Sequence, residues 1–148
     1  MQFRHILAPT DFSEYSKKAV VSALELARTF GAKLTILHVV ELPSYSSADF
    51  VAGYATWPKL LEDLERQATE ELAQLVPEAA SSDVDVVRRV AVGSPRGKIL
   101  DTAEAEQVDL IVMATAGRSG FSRLIMGSVA ERVIRTATCP VLTIRPRE

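Results

Sequence analysis

The stretch Met113-Ala-Thr-Ala-Gly117-Arg-Ser-Gly120-Phe-Ser-Arg-Leu-Ile-Met-Gly127-Ser128-Val129 lies between an apolar run, Val108 to Met113, and a helical pattern from Ser128 to about Ala137. It therefore reads as a strand-to-helix connection. Gly117, Gly120 and Gly127 let backbone approach a ligand closely, and a helix opening at Ser128 presents unpaired N–H groups with a partial positive charge. Those features describe an anion site, most naturally one for phosphate. A flexible loop with a Gly-Ser helix cap that binds nothing gives the same letters, since glycine-rich motifs match falsely often.

Outward from this loop the charge is uneven. After Met113 there are six arginines, Arg118, Arg123, Arg132, Arg135, Arg145 and Arg147, against Glu131 and Glu148, a balance of +4 in a chain whose net charge is −2. Positive charge near the loop suits a small anionic ligand, but it is too sparse for a nucleic-acid footprint. The 148 residues fit one domain, able to bury roughly 68–70% of its unfolded surface. No disulfide is possible, because Cys139 is the single cysteine; a buried structural thiol and a cytoplasmic location are the simplest readings. No apolar run reaches the ~18 residues of a membrane span, and no secretory leader is expected.

Upstream, apolar runs and helical patterns alternate. Phe3 to Ala8, ended by Pro9, reads as a first strand, and Asp11 or Ser13 can cap the helix that Gly31 closes. Lys33 to Val40 is a second strand, nearly all apolar as in a sheet covered on both faces. His38 within it reads as a core histidine satisfied by a neighbour, and with His5 it gives no metal signature. Glu41 to Pro58 reads as a long loop whose Tyr45, Tyr54 and Trp57 pack on the body. A helix follows from Lys59 to near Pro77, with Glu62, Glu65, Glu70 and Glu71 as a solvated face. Asp83 to Val92 is a third strand, Ser94-Pro95 starts a helix, Val108 to Met113 is the fourth strand and Pro140 to Ile144 the fifth. This β-α alternation predicts an α/β fold, a parallel sheet with right-handed crossovers and helices on both faces.

In such sheets ligands sit beyond the strand carboxyl ends at a switch in strand order, where Pro9-Thr10-Asp11 and the loop after Met113 and Ala114 can converge. A nucleotide fits this convergence. Backbone amides around Gly117, Gly127, Ser128 and Val129 can receive phosphate oxygens, with the Ser128 hydroxyl as a further donor. Asp11 can accept from ribose hydroxyls, Val39 and its neighbours can wall and hydrogen-bond a base, and Arg118 and Arg123 can meet phosphate from the side. No catalytic set of His, Ser and Asp or of Cys and His stands out, and the loop lacks the Gly-Lys-Ser/Thr of a Walker P-loop.

Three segments give this chain a resemblance to the universal stress protein family: Ile6-Leu-Ala-Pro-Thr-Asp-Phe-Ser13, Leu34-Thr-Ile-Leu-His-Val39, and Gly117-Arg-Ser-Gly120 through Gly127-Ser-Val-Ala-Glu131 with Cys139-Pro-Val-Leu142. The resemblance covers essentially residues 1–148 as one domain. It implies a five-stranded sheet in the order 3-2-1-4-5, similar to adenine nucleotide alpha hydrolases. It also implies a homodimer whose last strands, here Val141 to Ile144, pair across the interface, and in one branch a bound ATP, with or without magnesium. That branch carries Gly-x-x-Gly, nine residues, then Gly-Ser or Gly-Thr. Gly117, the nine residues Arg118 to Met126, and Gly127-Ser128 match it, whereas Ala114 replaces the first glycine. A left-handed backbone at that position would cost alanine roughly 1–2 kcal/mol, while at negative φ alanine still offers its N–H.

The resemblance implies a nucleotide site made of Pro9, Thr10, Asp11, Val39, Met113, Ala114, Gly117, Gly127, Ser128 and Val129 in a stress-response regulator, at most a slow ATPase. The alternative is a nucleotide-free interaction dimer, for which Ala114 is the argument.

Overall fold

The computed structural model describes residues 2–42, 56–116 and 126–145. Five strands form one parallel sheet: β1 (His5–Pro9), β2 (Lys33–Val40), β3 (Val86–Val92), β4 (Leu110–Ala114) and β5 (Val141–Ile144), in the order β3-β2-β1-β4-β5. The helices are α1 (Glu14–Phe30), α2 (Trp57–Leu75), the short α3 (Glu78–Ser81), α4 (Pro95–Ala105) and α5 (Ser128–Thr136). The expected α/β architecture and strand order are therefore present. Among the described residues no helix is long and apolar enough to cross a membrane.

Alternation along the strands divides the core in two. Ile6, Ala8, Leu34, Ile36, Leu110 and Val112 pack with Val20, Ala23 and Ala27 of α1 and Leu72 of α2. Leu7, Leu37, Ile111 and Met113 face the opposite side, against Ile99 and Ala103 of α4 and Ala130 and Val133 of α5. β1 and the inner part of β2 are buried on both faces, which is why they read as unbroken apolar runs.

Several boundaries differ from the pattern reading. β1 starts at His5 rather than Phe3, because Phe3 instead packs edge-on against Phe30 of α1, with ring centroids 5.1 Å apart. β4 runs from Leu110 to Ala114, not from Val108 to Met113, so Ala114 is a strand residue paired with Ile144. α2 begins at Trp57, two residues before Lys59, with Pro58 in its first turn where a missing N–H costs nothing. β3 starts at Val86 instead of Asp83, and α3 occupies part of the interval before it. Of the loop expected over Glu41 to Pro58, Tyr45 and Tyr54 lie outside the described residues.

Helix ends follow their sequence signals more closely. Ser13 is the N-cap of α1, its hydroxyl accepting from Ser16 N–H at 3.2 Å, and Gly31 ends the helix at φ 63°. Ser94 is the N-cap residue of α4 with Pro95 next to it, yet its side chain makes no capping bond.

At the amino ends of the strands a polar cluster is closed on itself. His5 Nε2 lies 2.8 Å from Thr35 Oγ1, Thr35 Oγ1 donates to Glu106 Oε2 at 3.1 Å, and Arg89 pairs with Glu106 at 2.8 Å. Beside it the Asp109 carboxylate accepts from the Arg4 and His5 N–H groups at 2.8 and 2.9 Å, tying the approach to β4 to the start of β1. The Arg4 N–H, and after it that of His5, hold the Asp109 carboxyl below its ordinary value against the opposing effect of partial burial.

Two outcomes follow from these anchors. A carboxyl with a lowered folded pKa contributes stability that is complete above its ordinary value, 3.8, and is lost as the pH falls below it. In urea melts, Asp109→Asn is expected to be less stable than the parent at neutral pH, with the gap closing towards pH 2. Ser13→Ala removes the α1 cap and is expected to cost about 1 kcal/mol in the same melts, with the slope unchanged.

Candidate functional site

A cavity of about 570 Å³ opens at the carboxyl ends of the strands. It lies where the strand order switches, between β1, whose chain turns towards β2, and β4 on its other side.

The first wall is the turn after β1, formed by Pro9, Thr10, Asp11 and Phe12. Pro9 has no N–H, so it cannot donate to the ladder, and Thr10 N–H makes a bond to Leu37 C=O at 2.8 Å as the chain turns away. Thr10 Oγ1 accepts from Phe12 N–H at 3.0 Å and lies 2.9 Å from Ser16 Oγ, while Asp11 Oδ1 accepts from Ser13 N–H at 3.0 Å. Asp11 thus braces the entry to α1 by holding the N–H of Ser13, while the cap itself is Ser13. Phe12 has φ 63°, a left-handed conformation that costs a bulky residue roughly 1–2 kcal/mol. Its ring stacks on His38 with centroids 4.3 Å apart.

The second wall is the end of β2. Lys33 N–H donates towards β1, to Arg4, and Leu34 N–H towards β3, to Asp85. Carried along the strand, this alternation aims the N–H and C=O of Val39 to the β1 side, at a level where β1 has already ended. Val39 is buried and lines the cavity, so it offers both an apolar wall and backbone polar groups. His38 is half-buried and also lines the cavity, its Nδ1 2.8 Å from Thr10 C=O. The expectation of a neighbour-satisfied histidine fits that contact, but nothing in the residue pattern signals that the ring borders the cavity.

The third wall joins β4 to α5. Met113 and Ala114 are buried, and both line the cavity. Among the described residues outside glycine only Phe12 and Gln107 have positive φ, so Ala114 carries no left-handed penalty. Gly127, Ser128 and Val129 line the cavity too. Gly127 is the N-cap of α5 and has no side chain with which to cap it. The first intrahelical bond runs from Glu131 N–H to Gly127 C=O, so the N–H groups of Ser128, Val129 and Ala130 form the electropositive first turn. Gly127 adopts φ −64°, open to any residue; it is the close approach to Thr115 that favours glycine. Gly127 N–H donates to Thr115 C=O at 2.8 Å, and a Cβ at position 127 would lie 3.3 Å from that oxygen.

The structure thus brings together Pro9, Thr10, Asp11, Val39, Met113, Ala114, Gly127, Ser128 and Val129. Gly117, with Arg118, Gly120 and Arg123, lies outside the described residues. Sequence reasoning missed Gln67 and Glu71, whose side chains hydrogen-bond at 3.1 Å on α2 and which also border the cavity. Of the expected solvated face, Glu62 and Glu70 are exposed, whereas Glu65 and Glu71 are half-buried. Cys139 lies away from this cavity and is half-buried rather than buried; that burial pushes its thiol up.

Among the described residues no group of three or more His, Cys, Asp or Glu side chains is placed to hold a metal ion. What the arrangement supplies is an electropositive helix terminus, an acidic side chain and an apolar shelf with backbone hydrogen-bonding groups.

Comparison with known proteins agrees with this architecture. A solved universal stress protein from Lactobacillus plantarum superposes with a TM-score of 0.86 at 28% identity, covering 98% of this chain and 99% of that one. A universal stress protein crystallised in complex with cAMP is 25% identical, with a TM-score of 0.65 and 98% of each chain covered. A universal stress protein of Methanocaldococcus jannaschii is 33% identical over 143 residues, which span 97% of this chain and 82% of the relative. The sequence model of the universal stress protein family matches residues 2–145, and the chain belongs to that family.

Proposed function

We propose that this chain, as one universal stress protein domain over residues 1–148, binds ATP or another adenine nucleotide at the strand carboxyl ends and acts as a nucleotide-responsive homodimer in the cytoplasm. The observation that carries the reading is a cavity bordered at once by the β1 turn, the end of β2 and the uncapped start of α5. Its volume of about 570 Å³ falls in the range of small-molecule and cofactor sites.

In this reading the N–H groups of Ser128 and Val129 and the Ser128 hydroxyl take phosphate oxygens, Asp11 takes the sugar hydroxyls, and Val39 takes the base. Pro9, Thr10, Met113, Ala114 and Gly127 shape the walls, and Gly117 belongs to the phosphate loop. The relative solved with cAMP supports an adenine nucleotide as the ligand class. Magnesium would accompany the triphosphate. Hydrolysis, at most slow, is secondary: His5 is engaged at the far end of the sheet, and His38 is stacked on Phe12 and bound to Thr10.

The dimer reading is supported by β5, which lies at the sheet edge and leaves Leu142 39% exposed. An apolar edge strand of this kind invites pairing with a second copy through Val141 to Ile144. The methyl group of Ala114 on the cavity wall favours the second reading, a nucleotide-free interaction dimer.

One experiment separates the two. The protein is purified without added nucleotide and denatured, and released small molecules are identified by mass spectrometry. Stoichiometric adenine nucleotide is expected, whereas an empty protein that also ignores MgATP in titration selects the second reading. Gly127→Val crowds the Thr115 carbonyl and the start of α5. It is expected to weaken ATP binding by more than about tenfold, a loss of ~1.4 kcal/mol, and to leave the dimer intact by light scattering. Unchanged affinity would overturn the site assignment.

A further inference from the structure

We propose that the stacked Phe12–His38 pair is the specificity latch of this site: it fixes the turn that carries Asp11 and so lets the site distinguish ribose from deoxyribose. The inference rests on the adenine-nucleotide reading above and assigns a role to two residues that touch the cavity but take no part in that reading.

The turn is held from both ends. Thr10 N–H donates to Leu37 C=O at 2.8 Å, and Thr10 C=O lies 2.8 Å from His38 Nδ1. A carbonyl only accepts, so Nδ1 carries the proton in this contact. Thr10 is thereby bound to β2 through both its backbone groups. Two residues later Phe12 sits at φ 63°, a region that an aromatic residue leaves unless its surroundings hold it there.

What holds it is visible. Phe12 N–H donates to Thr10 Oγ1 at 3.0 Å, and its ring lies on the His38 imidazole at 4.3 Å and 28° between planes. His38 therefore touches the turn twice, by hydrogen bond before Asp11 and by stacking after it.

Asp11 lies between these two fixed points. Its Oδ1 accepts from Ser13 N–H at 3.0 Å, and a carboxylate has further acceptor capacity for a hydroxyl. Whether that capacity discriminates between sugars depends on where the carboxylate is held, because a charged acceptor rewards a hydroxyl donor only at hydrogen-bond distance. If Phe12 relaxes to negative φ, the chain direction at Ser13 changes and Asp11 moves with it. The latch is thus a positioning device, with Asp11 as the group that meets the ligand.

The test is a binding series with ATP, 2′-deoxyATP and 3′-deoxyATP, read as the ratio of deoxy to ribo Kd. The parent protein is expected to favour ATP over at least one deoxy analogue by roughly tenfold or more, the size of a hydrogen bond to a charged group. In His38→Ala the ratio is expected to fall to within about twofold with affinity for the deoxy analogue nearly unchanged. His38→Asn, whose amide can replace the Nδ1–H donor, is expected to recover part of the ratio.

Phe12→Gly removes the ring and the positive-φ penalty together, so it keeps the fold by circular dichroism and loses the ratio. A merely structural role would lower all three affinities in parallel and keep the ratio, which overturns the latch. A parent that binds ATP and both analogues equally also overturns it while leaving the nucleotide reading in place. A parent that binds none of the three removes the reading, and the latch with it.

Discussion

Because β1 lies between β2 and β4, the chain leaving its carboxyl end and the chain leaving β4 must part company. The first turns into α1, whose apolar side packs with Ile6, Ala8 and Val112, and the second leads to α5, which packs on the face of Leu7 and Met113. Two connections that diverge to opposite faces leave a crevice between them. The crevice takes its main polar groups from the elements that border it. The β1 turn brings Asp11, α5 brings its first N–H groups, and the extra length of β2 beyond Pro9 supplies the shelf of Val39. The two apolar cores on either side make the crevice floor rigid, since close-packed side chains do not yield without cost.

At the edge of that crevice the two constrained backbone positions are of different kinds. Phe12 is strained and is held by contacts to Thr10 and His38. Gly127 is unstrained, and its want of a side chain serves a close approach to Thr115. Ala114 belongs to neither kind. As the last residue of β4, paired with Ile144, it has ordinary strand backbone. The glycine that the ATP-binding pattern asks for at this position would therefore serve space rather than conformation, and what alanine adds is one methyl group.

The parts of the fold visible in the letters were those decided by local chemistry. The apolar run Lys33 to Val40 is β2 to the residue, and Gly31 and Ser13 cap α1 where their residue types put them. Boundaries set by distant partners were not visible. Asp109 binds the N–H groups of Arg4 and His5, more than 100 residues away in sequence, and the pattern around Val108 holds no trace of that pairing. Strand order came from the resemblance alone, because periodicity says which face a residue takes and nothing about which strand lies beside it. The site was legible in the same proportion. Asp11, Gly127 and Ser128 announced themselves through capping and glycine chemistry, whereas Phe12, His38 and Glu71 enter the cavity only through tertiary placement.

The placement of those additional residues gives the cavity a polarity. Asp11, Glu41 and Glu71 border it from the β1, β2 and α2 sides, and the start of α5 borders it from the β4 side. A phosphate chain set against the three carboxylates would meet like charge, whereas at the first turn of α5 it meets N–H groups and the positive end of a helix. A nucleoside has the reverse preference, since its hydroxyl and amino donors suit carboxylates and backbone carbonyls. An adenine nucleotide in this crevice has accordingly one favourable direction, phosphates towards α5 and sugar and base towards β1 and β2. The same charge asymmetry disfavours polyanions too large to keep clear of the acidic side.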